Sequence, residues 1–399
     1  MGARHRIEWA FPLILVLYEI SAYLSNDMYL PALPDMMRDL NIDTTHAQLT
    51  ITMWFLGSAC TPLFMGAIAD RFGRRPTLLI GGGIYVFATV MCALAVNEHT
   101  LLAPRILQGA MITSMMVAGY AVIHELYEHK LAIRILAIMG GVSVLAPALG
   151  PLFGAIVLLF ASWRAIFWII AIYSSVMLIC LYRTMPETLL PDKQQPLHVG
   201  SLLRNYWQVI ANRNFILLMA ILGFTFAGFI SWVTAGPLLV IHSLHYSEVA
   251  FGWMQAAVFG AYILGSYVVN LLSEKHDAHR LVNVGLVVSL VAGFFISLFA
   301  YFLPNEFFLF LMAIIIYSFG SAICFAPLNR LIIETSDQPM GIRVALFTTG
   351  LMGCGVLGSG IASIIYDGTA ISLGIIITIG IVIACVLQVC ALGVPRMKR

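Results

Sequence analysis

Two carboxylates in the first apolar run of the chain, Glu19 and Asp27, are of a type and setting that could do chemistry. If that run crosses a bilayer, each ionised acid near its centre costs about 2.5–3.5 kcal/mol on insertion scales, so an acid kept there is a functional candidate. Eight residues at about 100° each return nearly to the same helix face about 12 Å further on, which lets both acids look into one cavity. Buried carboxylates of this kind take up and release protons. Arg105, a few residues inside a later apolar run, is the matching cation, expected at the depth of Asp27 and within pairing reach of it. An acid beside a guanidinium and an acid in an apolar wall differ in proton affinity, a difference useful to a proton-coupled carrier. The competing readings are an interhelical salt bridge for the acids and a side chain snorkelling to the interface for Arg105.

Other patterns lead elsewhere. His124-Glu125-Leu126-Tyr127-Glu128-His129 approaches a zinc-protease helix, but Glu128 stands where the second His of His-Glu-x-x-His belongs. Glu125 is then a gate or a secondary proton site. Gly353-Cys354-Gly355 with Gly358 has the letters of a dinucleotide fingerprint inside an apolar run, with no strand before it and no acid after it, so it serves helix packing. His276 to His279 reads as an exposed loop. No metal, cofactor or catalytic constellation is expected, and the chain is not read as an enzyme.

The elements that must position the acids follow from composition. Of 399 residues, 61% are hydrophobic and 10% charged, with a mean hydropathy of +0.94; soluble domains carry about 25% charged residues. So few charges cannot cover a water-exposed surface. The seven cysteines sit in apolar runs without ligand or disulfide spacing and read as small buried hydrophobes. A formal charge of +2 implies no nucleic-acid partner. Met1 to Glu8 is basic, but the run it precedes is broken by Glu19 and lacks a small-x-small cleavage site, so it is expected to be retained as part of a span.

A bilayer core needs about 20 mostly apolar residues per helix. Such spans fall near 11–30, 48–69, 76–96, 101–124, 135–160, 164–182, 214–240, 249–272, 281–303, 307–330, 344–366 and 371–392. This is an all-α polytopic membrane protein of twelve spans. With both termini on the cytoplasmic side, that side holds the basic residues of the termini together with Arg71, Arg74, Arg75, Lys130, Arg134, Arg183, Lys193, Arg204, Arg213, Lys275, Arg280, Arg330 and Arg343. Arg38, Arg105 and Arg164 fall elsewhere, and shifting the count by one span would scramble the segregation. The polar stretch 183–213, with Pro186, Pro191, Pro196 and Gly200, reads as a cytoplasmic linker between bundles 1–182 and 214–399. Six spans on either side is the plan of a carrier made of two related halves.

Between spans two and three lies Gly66-Ala67-Ile68-Ala69-Asp70-Arg71-Phe72-Gly73-Arg74-Arg75-Pro76. It offers a small residue for close helix approach, an acid able to cap a neighbouring helix, a Gly for the turn and an arginine cluster. This resembles the signature loop of the major facilitator superfamily. Arg105-Ile106-Leu107-Gln108-Gly109 is similar to the family's span-four motif, whose buried Arg is tied to proton coupling. Ala146-Pro147-Ala148-Leu149-Gly150-Pro151-Leu152-Phe153-Gly154 resembles the span-five motif of its drug/proton antiporter branch, where prolines and glycines bend the helix and admit a close neighbour.

The resemblance implies a proton-coupled exporter of lipophilic cationic or neutral small molecules, monomeric, in the cell inner membrane and needing no nucleotide. By the same resemblance Tyr23, Asn26, Ser143, Gln255 and Phe259, with Glu19 and Asp27, match positions facing the substrate cavity. Trp54 joins them, standing where the resembled exporters carry Tyr. The alternatives are a dedicated exporter of one metabolite such as a siderophore and, more remotely, a non-transporting membrane receptor or enzyme.

Overall fold

The computed structural model describes residues 2–190 and 199–392. Residues 191–198 of the expected linker lie outside the described residues, as do Lys193, Arg396, Lys398 and Arg399 from the charge bias. The chain divides into two compact units, Met1–His198 and Val199–Arg399. In the first run α1 (Gly2–Asp27), a 3-10 turn (Leu30–Ala32), α2 (Leu33–Leu40), α3 (Thr44–Cys60), α4 (Pro62–Phe72), α5 (Arg74–Ala93), α6 (Glu98–Leu126), α7 (His129–Leu158) and α8 (Trp163–Thr184). The second holds α9 (Val199–Ile210), α10 (Arg213–Pro237) prolonged by a π turn (Leu238–Ser243), α11 (Glu248–Leu272), α12 (Ala278–Phe302), α13 (Phe307–Ile333), α14 (Met340–Ile365) and α15 (Ala370–Leu392).

Ten of the described helices are long and apolar enough to cross a membrane, and α3 with α4 makes an eleventh if the pair, bent by 49°, is one span. The span expected over 48–69 is therefore bent near its middle. Pro62 lacks the N–H that would reach back one turn and its ring crowds the preceding carbonyl, while the Thr61 hydroxyl donates to the Gly57 carbonyl at 3.0 Å. Helix α1, 26 residues long, is not among the ten; Glu19, Ser21, Ser25, Asn26 and Asp27 dilute its apolar run. The all-helical, multi-span fold agrees with the sequence reading, and the count is consistent with twelve.

Helix starts are marked by side chains that take up orphan N–H groups. Asp43 accepts from His46 N at 2.8 Å to open α3, and Asn97 and Thr100 form a capping box on α6. In the first unit α1 packs on α7 and α8, while α6 packs on both α3 and α5. Away from the basic 71–75 end, Asp39 on α2 accepts from Trp163 Nε1 at 3.0 Å and from the Arg164 guanidinium, and Arg164 also donates to the Ala95 carbonyl at 2.8 Å. The hydrogen bond from Arg164, reinforced by that from Trp163, holds the Asp39 carboxyl below its usual range.

Candidate functional site

Helix α1 carries both acids into the interior of the first unit. Glu19 is fully buried, with 0% of its surface exposed, and Asp27 is buried. From α6 the Tyr120 hydroxyl donates to Glu19 Oε1 at 2.9 Å, whereas Oε2 has no hydrogen-bond partner among the described residues. Asp27 Oδ1 accepts from Asn26 Nδ2 at 3.3 Å. Tyr23, one turn before Asp27, is half-buried, and the Ser143 hydroxyl on α7 donates to the Gly140 carbonyl at 2.7 Å.

The glycines of the Pro147–Gly154 segment explain why α1 can sit so close to α7. A Cβ built on Gly154 would lie 1.7 Å from the Met28 carbonyl oxygen, and one on Gly150 would lie 3.3 Å from the Asp27 Cβ. Here the neighbour that the motif admits is the end of α1 that bears Asp27. Pro147 and Pro151 lie within the uninterrupted helix α7, both buried.

Arg105 does not snorkel: it is completely buried. Its Nε donates to the Thr50 carbonyl at 3.2 Å, Nη1 to the Ser25 carbonyl at 2.7 Å and to Gln108 Oε1, and Nη2 to Asn26 Oδ1 at 3.4 Å and the Tyr29 hydroxyl at 3.1 Å. The Tyr29 ring centroid is 4.5 Å from its Cζ. All five guanidinium N–H donors are thus engaged, each by a neutral acceptor. The direct pair expected between Arg105 and Asp27 is not formed. Depth alone predicted it, but the carbonyls of Ser25 and Thr50 reach the guanidinium first, and Asn26 stands between the charges.

At the basic end, Gly73 turns the chain from α4 into α5 with φ +103°, a value that favours glycine. Asp70 pairs with Arg74 at 2.6 Å, so it is occupied one turn along its own segment. The acid that caps a neighbouring helix is instead Glu187, beyond the end of α8: its carboxylate accepts from the backbone N–H groups of Arg74 and Arg75, both at 3.1 Å. Glu125 accepts from Arg74 Nη2 at 3.3 Å and from the Thr188 hydroxyl. Arg75 donates to the Tyr182 carbonyl at 2.7 Å, and Arg71 lies over the Phe72 ring at 5.5 Å. The close approach expected at Gly66 is absent, since a Cβ there would meet nothing within 4 Å. Sequence reasoning missed Glu187, although Pro186-Glu187-Thr188 directly after a span was a visible signal.

In the second unit Trp232 Nε1 donates to Gln255 Oε1 at 2.9 Å, while the buried Gln255 Nε2 has no partner among the described residues. Phe259 stacks edge-on against Phe229 at 5.2 Å, and Phe229 continues to Tyr262 at 5.8 Å and Tyr262 to Phe325 at 6.3 Å. Phe229, Tyr262 and Phe325 were not singled out from sequence. Trp54 belongs to the first unit, where its buried indole N–H also lacks an acceptor among the described residues. Among the described residues no group of three or more His, Cys, Asp or Glu is placed to hold a metal ion.

A family model described as Major Facilitator Superfamily matches residues 15–239 and 225–399. The chain is 31% identical over 350 residues to the multidrug transporter MdfA of Yersinia pestis bv. Antiqua (strain Angola), covering 86% of this chain and 85% of that protein. It is 28% identical over 338 residues to the multidrug resistance protein MdtM of Escherichia coli (strain K12), covering 85% and 82%. Among solved structures, the xylose transporter XylE from E. coli, in a partially occluded inward-open conformation, superposes with a TM-score of 0.75 at 13% identity, covering 98% of this chain and 99% of that one. At 13% identity this likeness speaks for the fold alone.

Proposed function

Because the chain belongs to the Major Facilitator Superfamily, and so to membrane transporters rather than enzymes, we propose that it exports lipophilic cationic or neutral small molecules in exchange for protons. The observation that carries this reading is a charge imbalance inside the first unit. Two buried carboxylates and one buried guanidinium share it, with no ion pair joining them among the described residues. Arg105 is a fixed positive charge, locked by five neutral acceptors, and it offsets an ionised Asp27 through Asn26. An ionised Glu19 is then the unbalanced charge, and a proton or a cationic cargo can each supply its missing positive partner.

Exchange follows from that competition. Cargo arriving from the cytoplasm displaces protons from the Glu19 and Asp27 pair, access switches sides, and reprotonation from outside releases the cargo. The acids act as one coupled system. One proton moving with the membrane potential supplies about 2.3 kcal/mol per 100 mV, which makes nucleotide hydrolysis unnecessary. Tyr23, Asn26, Trp54 and Ser143 in the first unit are assigned to the cargo. In the second unit the same role falls to Gln255, whose Nε2 lacks a partner among the described residues, and to Phe259 and its aromatic neighbours, which suit a planar lipophilic ligand. The protein acts as a monomer in the cell inner membrane, with its termini and the Asp70–Arg75 loop in the cytoplasm.

Purified protein in detergent and weak buffer, containing a pH-indicator dye, tests this directly. Adding tetraphenylphosphonium is expected to release protons from the wild type, fewer from Glu19→Gln, and almost none from Glu19→Gln/Asp27→Asn. Release at the wild-type level from the double variant would place the coupling elsewhere.

A further inference from the structure

In the second unit the contact between Trp232 on α10 and Gln255 on α11 fixes which end of an amide is on offer. An indole N–H can only donate, so the atom of Gln255 that meets it at 2.9 Å is the carbonyl oxygen. Both residues are buried, with 1% of Trp232 and 0% of Gln255 exposed, and Gln255 Nε2 has no partner among the described residues. Buried donors are ordinarily paired. With its oxygen held at the indole, the amide has its N–H end left over, and that end can only donate.

The surroundings of this donor are aromatic and uncharged. Phe259 stands one turn after Gln255 on α11 and Phe229 just under a turn before Trp232 on α10, so an aromatic rung at 5.2 Å lies beside the polar one. Both helices pack on α13. From Phe229 the aromatic row passes to Tyr262 and on to Phe325 of α13, at 5.8 and 6.3 Å. Tyr262 and Phe325 are half-buried, so the row leads outward from the buried amide. Residues 214–241, 249–273 and 307–329 contain no Asp, Glu, Lys or Arg. A cation would meet ring faces here but no carboxylate, and a buried charge needs a partner. A neutral carbonyl, sulfone or phosphine oxide oxygen would instead satisfy Nε2 while the rings of its ligand lie against Phe259 and Phe229.

We infer that this part of the second unit is a subsite for neutral cargo that carries a hydrogen-bond acceptor on an aromatic frame. Gln255 donates to that acceptor, and Trp232 is the positioning residue that keeps the amide from turning over. The assignment rests on the proposed export of lipophilic molecules and divides the labour: the acids of the first unit deal with charge, the amide of the second with neutral acceptors.

Triphenylphosphine oxide and methyltriphenylphosphonium test this by equilibrium dialysis against the full chain in detergent. The two share a shape, but the first has a strong neutral acceptor where the second has a methyl group and a positive charge. The wild type is expected to bind both. Gln255→Met keeps the length of the side chain and removes the donor, and Gln255→Leu serves if the Met variant is unstable. Either is expected to lower the affinity for the phosphine oxide relative to the phosphonium about fivefold, in line with one neutral hydrogen bond. Trp232→Phe is expected to lower the same ratio by less, and to add nothing further in Gln255→Met/Trp232→Phe. A ratio unchanged in the Gln255 variants, with both affinities kept or both lost alike, would overturn the subsite, as would a wild type that does not bind the phosphine oxide. A wild-type ratio in Trp232→Phe would overturn the positioning role. Dialysis needs no gradient and reads no proton release, so the subsite can fail while proton coupling stands, and the reverse.

Discussion

Arg105 reaches Asp27 through one side-chain amide: Asn26 Oδ1 accepts from the guanidinium at 3.4 Å and Asn26 Nδ2 donates to Asp27 Oδ1 at 3.3 Å. The amide joins the two charged groups without a direct salt bridge between them. Asp27→Asn removes the titratable group and keeps the shape. Proton-driven dye export by everted vesicles is expected to vanish at an undiminished membrane level, and pH-gradient-dependent export by this variant would count against the assignment.

Arg105→Lys keeps the charge and removes the fork. Three ammonium donors cannot serve five acceptors, and each buried acceptor left unpartnered costs about 1–3 kcal/mol. Export is expected to fall at least tenfold, by analogy with a loss of about 1.4 kcal/mol or more, with a lower melting temperature in detergent. Wild-type export by Arg105→Lys would mean that charge alone suffices.

Gly154→Ala places a methyl group where the Met28 carbonyl oxygen is 1.7 Å away, and backbone on that side cannot swing aside as a flexible side chain would. Overpacking of this kind costs about 1–3 kcal/mol. The expected outcome is a clear loss of thermal stability, while alanine at Gly66, where the space is open, leaves stability unchanged.

Glu187 holds the first two N–H groups of α5 beside an arginine cluster. Glu187→Gln weakens that cap, and Asp70→Asn breaks the pair with Arg74. Both are expected to raise the labelling of cytoplasmic cysteine probes in a cysteine-free background, because they alter the balance between conformations and not the affinity for cargo. Unchanged labelling in a variant that fails to transport would refute a latch at this end.

The Asp39–Arg164 contact gives a pH dependence with a definite sign. Its carboxyl is held below the ordinary range by the bond from Arg164. The contribution is therefore fully present above the unfolded value of about 3.9 and is lost as pH falls through the lower folded value. The pair is largely exposed, so the effect is small. Asp39→Asn is expected to lower the melting temperature by about 2 °C, by the same amount from pH 8 to 5, with the gap closing only below pH 4. A gap that closes between pH 7 and 6 would point to another group.

The acids of α1 were legible in the sequence because charge in an apolar run is costly and conspicuous. Gly154 was legible because Pro and Gly alternate around it. What surrounds Arg105 was not, since its partners include the main-chain carbonyls of Ser25 and Thr50, and every residue has a carbonyl. Glu187 escaped notice because its partners are 112 and 113 residues away along the chain. Phe229, Tyr262 and Phe325 were hidden among 24 phenylalanines and 15 tyrosines, where only the fold separates an aromatic cluster from ordinary apolar filling. The bend at Pro62 was invisible to hydropathy, which sums residues without asking whether each has an N–H.

The contact between Gly154 and the Met28 carbonyl means that α1 is seated by its main chain against α7. A helix held that way asks little of its own side chains for placement. Tyr23 can then change without dislodging the scaffold, whereas Asn26 stays tied to Arg105 and Asp27. A change at Tyr23 alters the lining of the first unit, while a change at Gly154 alters where α1 itself can lie.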